Sequence, residues 1–187
     1  FPTRRSSDLD QSASSINIKL VDAVGNVPVN QDEAYRLTIT PKAITVEAVA
    51  ERGVYWAMQT LYQLKEEKGK KIRLQCGTIT DWPAFRIRGF MQDVGRSYLS
   101  LEELKREIAI LSRFKINTFH WHLTENQAWR LESKIFPMLN DSANMTRMAG
   151  KYYTLEEARE LTKFCKAHQV LLIPEIDMPG HSAAFIR

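Results

Sequence analysis

After Pro83 the chain repeats one grammar, an apolar strand followed by a capped amphipathic helix, and this repetition restricts the fold more than any other feature of the 187 residues. Residues 85–94 read as a strand. Ser100-Leu-Glu-Glu103 is a capping box that opens a helix with Leu101, Leu104, Ile108 and Leu111 on its inner face. Residues 116–123 form the next strand, and a long polar connection over 127–150 leads to a second capping box, Thr154-Leu-Glu-Glu157. The helix it starts buries Leu155, Ala158, Leu161 and Cys165. The third strand spans 170–176. Repeated βα units imply parallel strands joined by helical crossovers. The stretch beyond Pro83 is far shorter than the roughly 250 residues of a closed eight-stranded barrel. It is therefore a small open sheet or a barrel cut after its third strand.

Upstream the pattern differs. Tyr35, Leu37 and Ile39 alternate with Arg36, Thr38 and Thr40, Pro41-Lys42 turns the chain, and Ile44, Val46 and Ala48 resume the alternation. The period then changes, with Val54, Met58, Leu61 and Leu64 on one helical face, and a short strand is expected over 72–74. Asp81-Trp82-Pro83 is a breaker suited to a domain boundary. The expected organisation is a small α+β domain over 10–82 and an α/β domain over 83–187. Residues 1–9 fit no element and read as an artefact or as disordered.

Composition excludes several classes. The 26 Lys and Arg against 22 Asp and Glu give a net charge of +4, and the basic residues are scattered, so no nucleic-acid partner is expected. The one local run, Lys65-Glu-Glu-Lys68-Gly-Lys70-Lys71, mixes signs and reads as a solvated turn after a helix. Cys76 and Cys165 lack metal-ligand spacing and read as packed thiols. No segment has the ~18 apolar residues of a membrane span.

Polar groups gather at the strand ends: Arg88 with Asp93 and Arg96, then His120, His122, Glu125 and Asn126, then Glu175, Asp177 and His181. In parallel α/β sheets the carboxyl ends of strands carry the active site, and all three clusters are expected there. Each has a plainer reading. Asp93 pairs structurally with either arginine, Glu125 is a solvated loop carboxylate, and Asp177 caps a turn before Pro179-Gly180. His120 and His122, two apart on one strand face, could also hold a divalent ion with Asp177 or His181 in a metal-dependent hydrolase, which a chelator would inactivate.

Three ordered motifs narrow the choice: Arg88-Gly-Phe-Met-Gln-Asp93-Val-Gly-Arg96, Asn117-Thr-Phe-His120-Trp-His122-Leu-Thr-Glu125-Asn-Gln-Ala-Trp129-Arg130-Leu-Glu132, and Ile173-Pro-Glu175-Ile-Asp177-Met-Pro-Gly-His181. They resemble the first three barrel strands of the β-N-acetylhexosaminidases of glycoside hydrolase family 20. Glu33-Ala-Tyr35-Arg-Leu-Thr-Ile and Gly53-Val-Tyr-Trp-Ala-Met-Gln59-Thr-Leu-Tyr-Gln63-Leu resemble the small domain that precedes the barrel in that family. The resemblance covers residues 30–185. It implies a truncated (β/α)8 TIM barrel preceded by a small α+β domain. It also implies retaining hydrolysis of terminal β-linked N-acetylglucosamine or N-acetylgalactosamine in glycans or glycoconjugates, assisted by the substrate's own acetamido group.

By the same resemblance, no cofactor or metal is expected, and the location is periplasmic or extracellular. The family's acid is the Glu of an Asp-Glu pair in a His-x-Gly-Gly-Asp-Glu motif at the fourth strand. This sequence has no such motif, so no catalytic acid is assigned in it and the isolated chain is expected to be inactive. Arg88 matches the arginine that grips sugar hydroxyls. Glu125 stands, with Asn126, where many members have two aspartates, and pairs with the histidine matched by His181; Asp177 buttresses the Asp-Glu pair. A non-catalytic amino-sugar-binding relic is the remaining alternative.

Overall fold

A computed structural model of the chain describes residues 15–69 and 71–186. The chain divides into two compact units between Arg86 and Ile87.

The first unit is built on a four-stranded sheet of β1 (Ser15–Leu20), β2 (Tyr35–Ile39), β3 (Ala43–Ala48) and β6 (Gly77–Asp81), ordered β1-β3-β2-β6. β2 and β3 form the expected hairpin, with Leu37 opposite Val46, while β1 runs parallel to β3. Helix α1 (Glu51–Gln63) covers one face. Its deepest residues are Gly53, Trp56, Ala57 and Leu61; of the expected inner face Leu61 is among them, while Val54, Met58 and Leu64 flank them. Trp56 takes the centre because its indole N–H donates to the buried Glu33 carboxylate at 2.7 Å, which satisfies a polar atom that burial would otherwise orphan.

Two expectations are corrected here. The strand expected over 72–74 does not complete the sheet: β5 (Lys71–Arg73) pairs with β4 (Glu66–Lys68) in a separate two-stranded ribbon turned at Gly69, whose φ is +64°. The charged run is therefore a hairpin rather than a simple turn. The fourth sheet position goes to β6, whose Asp81 accepts a 2.8 Å hydrogen bond from the Tyr35 hydroxyl. Gly53 is packed so closely that a Cβ there would lie 2.4 Å from the Ala34 carbonyl oxygen. Because that obstacle is backbone, Gly53→Ala is expected to destabilise the chain by about 1–3 kcal/mol, read as a lower urea midpoint at unchanged slope.

The second unit is a parallel sheet ordered β7-β8-β9, from β7 (Gly89–Asp93), β8 (Thr118–His122) and β9 (Leu171–Glu175). Crossover helices α2 (Leu101–Arg113) and α3 (Leu155–Ala167) pack on one face, each opened by its capping box. Side chains alternate along β8. Phe119 and Trp121 enter the core with Leu104, Ile108, Leu161 and Cys165, while Thr118, His120 and His122 face the other side. Burial pushes the Cys165 thiol up to about 12, so it behaves as a packed apolar group. Cys76 is half-buried, and neither it nor Cys165 forms a disulfide. Lys105 of α2 pairs with Glu102 on its own helix at 2.7 Å and reaches across to Glu160 of α3 at 2.5 Å. No helix among the described residues is long and apolar enough to cross a membrane.

Candidate active site

The sheet register puts Asp93, His122 and Glu175 in one row at the carboxyl ends of the three strands. The loops that follow carry the remaining polar groups. After β7 the chain continues through Val94 and Gly95 to Arg96, with the amides of Val94 and Gly95 both donating to the His122 carbonyl, at 3.1 and 3.3 Å. After β8 a tight turn forms: Glu125 and Ala128 exchange backbone hydrogen bonds at 3.0 and 3.2 Å, which fixes the direction of the Glu125 side chain. After β9, Asp177 is tied back by its amide, which donates to the Thr124 hydroxyl at 3.0 Å.

Glu125 is the centre of this rim. It is 1% exposed, yet its carboxylate is fully engaged: the Arg96 guanidinium and His181 Nδ1 both meet Oε1, and the Asn126 amide donates to Oε2 at 2.6 Å. Burying a carboxylate is tolerable only with such charge-assisted partners. The plainer reading of Glu125 as a solvated loop residue is therefore corrected. Arg96 also meets the Asp93 carboxylate through its guanidinium, and its amide donates to Asp93 Oδ1 at 3.0 Å. Asp93 holds the Arg96 pKa above its ordinary value. With a side chain still 47% exposed, and two of its five N–H groups used in these ion pairs, Arg96 presents a planar fork to the open side of the rim. Gly95 makes the approach possible: a Cβ there would lie 2.8 Å from Glu125 Cβ and 3.0 Å from the Thr124 carbonyl carbon.

Below and beside this network lies a second cluster. His120 Nε2 and His122 Nδ1 both bond the Glu175 carboxylate, the latter at 3.1 Å. The two histidines thus share a strand face as expected, but it is a carboxylate that they share. A hydrogen bond between Glu175 and Asp177 raises the Asp177 pKa and holds that of Glu175 below its ordinary value. Donor atoms of His122, Glu175 and Asp177 lie within 4.8 Å of one another. The triad that could hold a cation therefore differs from the expected one, since Glu175 replaces His120 and His181 stands with Glu125.

Arg88 is not at the rim. It precedes Gly89 at the amino end of β7, its carbonyl accepts from the amides of Asn117 and Thr118, and its Nε donates to the Lys115 carbonyl at 2.6 Å. Five strand residues separate it from Arg96's side of the sheet, about 16 Å at ~3.3 Å per residue. The strand expected over 85–94 hid this, because Arg88 and Arg96 bracket the ordered segment rather than share an end. The expected place of Arg88 at the carboxyl rim is corrected on that ground. Glu125 and His181 do come together as expected, and Asp177 lies in the adjoining carboxylate pair. Glu175 and Arg96 are rim residues to which sequence reasoning gave no substrate-binding or catalytic role. The signal for Arg96 was its position just past the strand end.

Comparison with known proteins agrees with this architecture. The family profile described as glycosyl hydrolase family 20, catalytic domain, matches residues 85–187, and that described as glycosyl hydrolase family 20, domain 2, matches residues 3–82. The chain is 39% identical over 167 residues to a β-hexosaminidase of Porphyromonas gingivalis, covering 82% of this chain and 21% of that protein. It is 37% identical over 174 residues to a β-hexosaminidase of Vibrio furnissii, covering 86% and 28%. Among solved structures it is similar to the β-N-acetylhexosaminidase of Bacteroides fragilis, with TM-score 0.81, 34% identity and coverage of 94% of this chain and 35% of that one. The Vibrio harveyi exo β-N-acetylglucosaminidase in complex with N-acetylglucosamine is also similar, with TM-score 0.83, 34% identity and coverage of 91% and 28%. The chain thus spans a fifth to a third of the length of the relatives it matches.

Proposed function

We propose, from the premise that the chain belongs to glycosyl hydrolase family 20, that it supplies the leading part of the catalytic barrel of a β-N-acetylhexosaminidase acting on terminal N-acetylglucosamine or N-acetylgalactosamine of glycans. The observation that carries this reading is the Arg96–Glu125–His181 network at the carboxyl rim of three parallel strands. A charged fork held on a buried carboxylate is preorganised to bind vicinal hydroxyls, and a histidine held by the same carboxylate is oriented for the groups behind the leaving oxygen. In this scheme Arg96 takes the sugar-gripping role, and Glu125 and His181 position the acid that the rest of the barrel provides. Asp177, in the carboxylate pair with Glu175, lies beside the place that acid would take.

The test uses the whole protein and a chromogenic β-N-acetylglucosaminide. Wild type is expected to turn it over. Arg96→Ala is expected to raise KM about 10- to 100-fold, because the hydroxyl contact exists in both ground and transition state. Arg88→Ala, at the other end of β7, is expected to leave kcat/KM within about twofold. Absence of turnover by the whole wild-type protein would sink the reading, and an Arg88→Ala loss larger than that of Arg96→Ala would reverse the assignment of the two arginines.

A further inference from the structure

Arg130 is the most completely buried charge in the second unit, 0% exposed, and no carboxylate pairs with it among the described residues. Its five N–H groups are instead matched by five main-chain carbonyls. Nε donates to Val94 at 3.1 Å, Nη1 to Met148 at 3.0 Å and Lys151 at 2.7 Å, and Nη2 to Gly95 at 3.3 Å and Arg147 at 2.8 Å. A guanidinium taken out of water is tolerated only when every donor is satisfied. Carbonyls satisfy it here at the cost of fixing the backbone of two loops around one rigid plane.

One of those loops ends at Arg96. Val94 and Gly95 are held from one side by Arg130 through their carbonyls, and through their amides by the His122 carbonyl. Gly95 also lies against Glu125, without room for a side chain. Arg130 itself is placed by the turn that carries Glu125, since its amide donates to the Leu123 carbonyl at 3.0 Å. The other loop, over 147–151, is the far part of the long connection before α3. Its Met148 sulfur accepts from the Tyr98 amide at 3.2 Å, so the same plane also braces the segment that follows Arg96.

We propose that Arg130 is a positioning residue for the Arg96 fork: by caging the carbonyls of residues 94, 95, 147, 148 and 151 it holds Arg96 where its guanidinium meets Glu125 and faces a bound sugar. The consequence for sugar recognition rests on the hexosaminidase reading above, whereas the cage itself does not. Lysine cannot take over, because an ammonium has three donors and no plane, so Arg130→Lys keeps the charge and releases part of the cage.

The test is a double-mutant cycle on the whole protein. Arg130→Lys is expected to raise KM about tenfold with kcat changed less than about threefold, and to add less than about twofold to Arg96→Ala, because the damage runs through Arg96. Full additivity with Arg96→Ala, or a lower melting temperature with unchanged KM, overturns the proposal and leaves Arg130 a structural residue. Should Arg130→Lys fail to fold, Gly95→Ala displaces the same segment from the Glu125 side, and the same non-additivity is expected of it. An inactive wild type would sink the glycosidase reading and not this one. Amide hydrogen exchange then decides: in Arg130→Lys the amides of residues 94–96 are expected to exchange at least about tenfold faster while those of Phe119 and Trp121 in β8 stay protected. Unchanged protection at 94–96 would refute the positioning role.

Discussion

Glu125→Gln in the whole protein is expected to lower kcat/KM by about 10²- to 10⁴-fold, the range seen when an orienting carboxylate or a positioned acid or base is neutralised. The substitution preserves shape to within an atom but removes the charge that two cations or donors converge on, since Arg96 and His181 both bond Oε1. A glutamine keeps an oxygen toward Arg96 and His181 only by setting its NH2 against the Asn126 N–H. With the side chain 1% exposed, water does not stand in. Arg96 then swings toward Asp93 alone, and His181 loses the partner that sets its ring orientation. Glu125→Asp keeps the charge with one methylene less and is expected to retain at least about tenfold more activity than Glu125→Gln. Steady-state kinetics on the chromogenic glycoside checks both. A Glu125→Gln enzyme within about threefold of wild type would make the network a structural tie rather than a part of the site.

The second large effect concerns the chain by itself. It is expected to show no glycosidase turnover above the buffer rate and to associate as its concentration rises. Its sequence carries no His-x-Gly-Gly-Asp-Glu motif. Its Asp32-Glu33 dipeptide serves the first unit, where Glu33 is buried on the Trp56 indole. The face of the β7-β8-β9 sheet opposite the helices exposes apolar side chains beside its polar groups, with Met91 52%, Leu171 59% and Ile173 42% exposed, and β7 and β9 are the edge strands among the described residues. Parallel strands are ordinarily covered on both faces, and uncovered edges template pairing with other chains. Dye binding to exposed apolar surface, together with sedimentation over a range of concentrations, measures this. A monomer that melts sharply without dye binding, or that hydrolyses the glycoside, would contradict the expectation.

Local chemistry was legible throughout. Both capping boxes, Ser100 with Glu103 and Thr154 with Glu157, form as their spacing requires, because a cap is satisfied by atoms three residues away. The alternation of Tyr35, Leu37 and Ile39 with their neighbours places the hairpin, and the βα repeat places the parallel sheet. β1 escaped notice although Ile16, Ile18 and Leu20 alternate, since a strand exposed on its whole length, at the edge of its sheet, has nothing in its own pattern that demands a partner.

The residues whose role turned on partners distant in sequence were not legible in that way. Arg88 and Arg96 are equivalent as letters flanking one strand. Which end of the sheet each occupies depends on where the paired segment starts and stops, and the pairing of Gly89–Asp93 with β8 sets that. His120 and His122 share a face by period alone, but that Glu175 lies between them depends on the pairing of β8 with β9. Arg130, in a polar stretch between Trp129 and Leu131, carries no local mark of its five carbonyl partners. Sequence by itself therefore determined the β2-β3 hairpin, the three helices, the two capping boxes, the parallel order of the βα repeat and the family, because those follow from interactions within a few residues and from ordered motifs. Tertiary structure alone decided which charges face the rim and which lie beneath it, because a side chain's electrostatic role is set by groups that only the packed sheet and its loops bring within hydrogen-bonding distance.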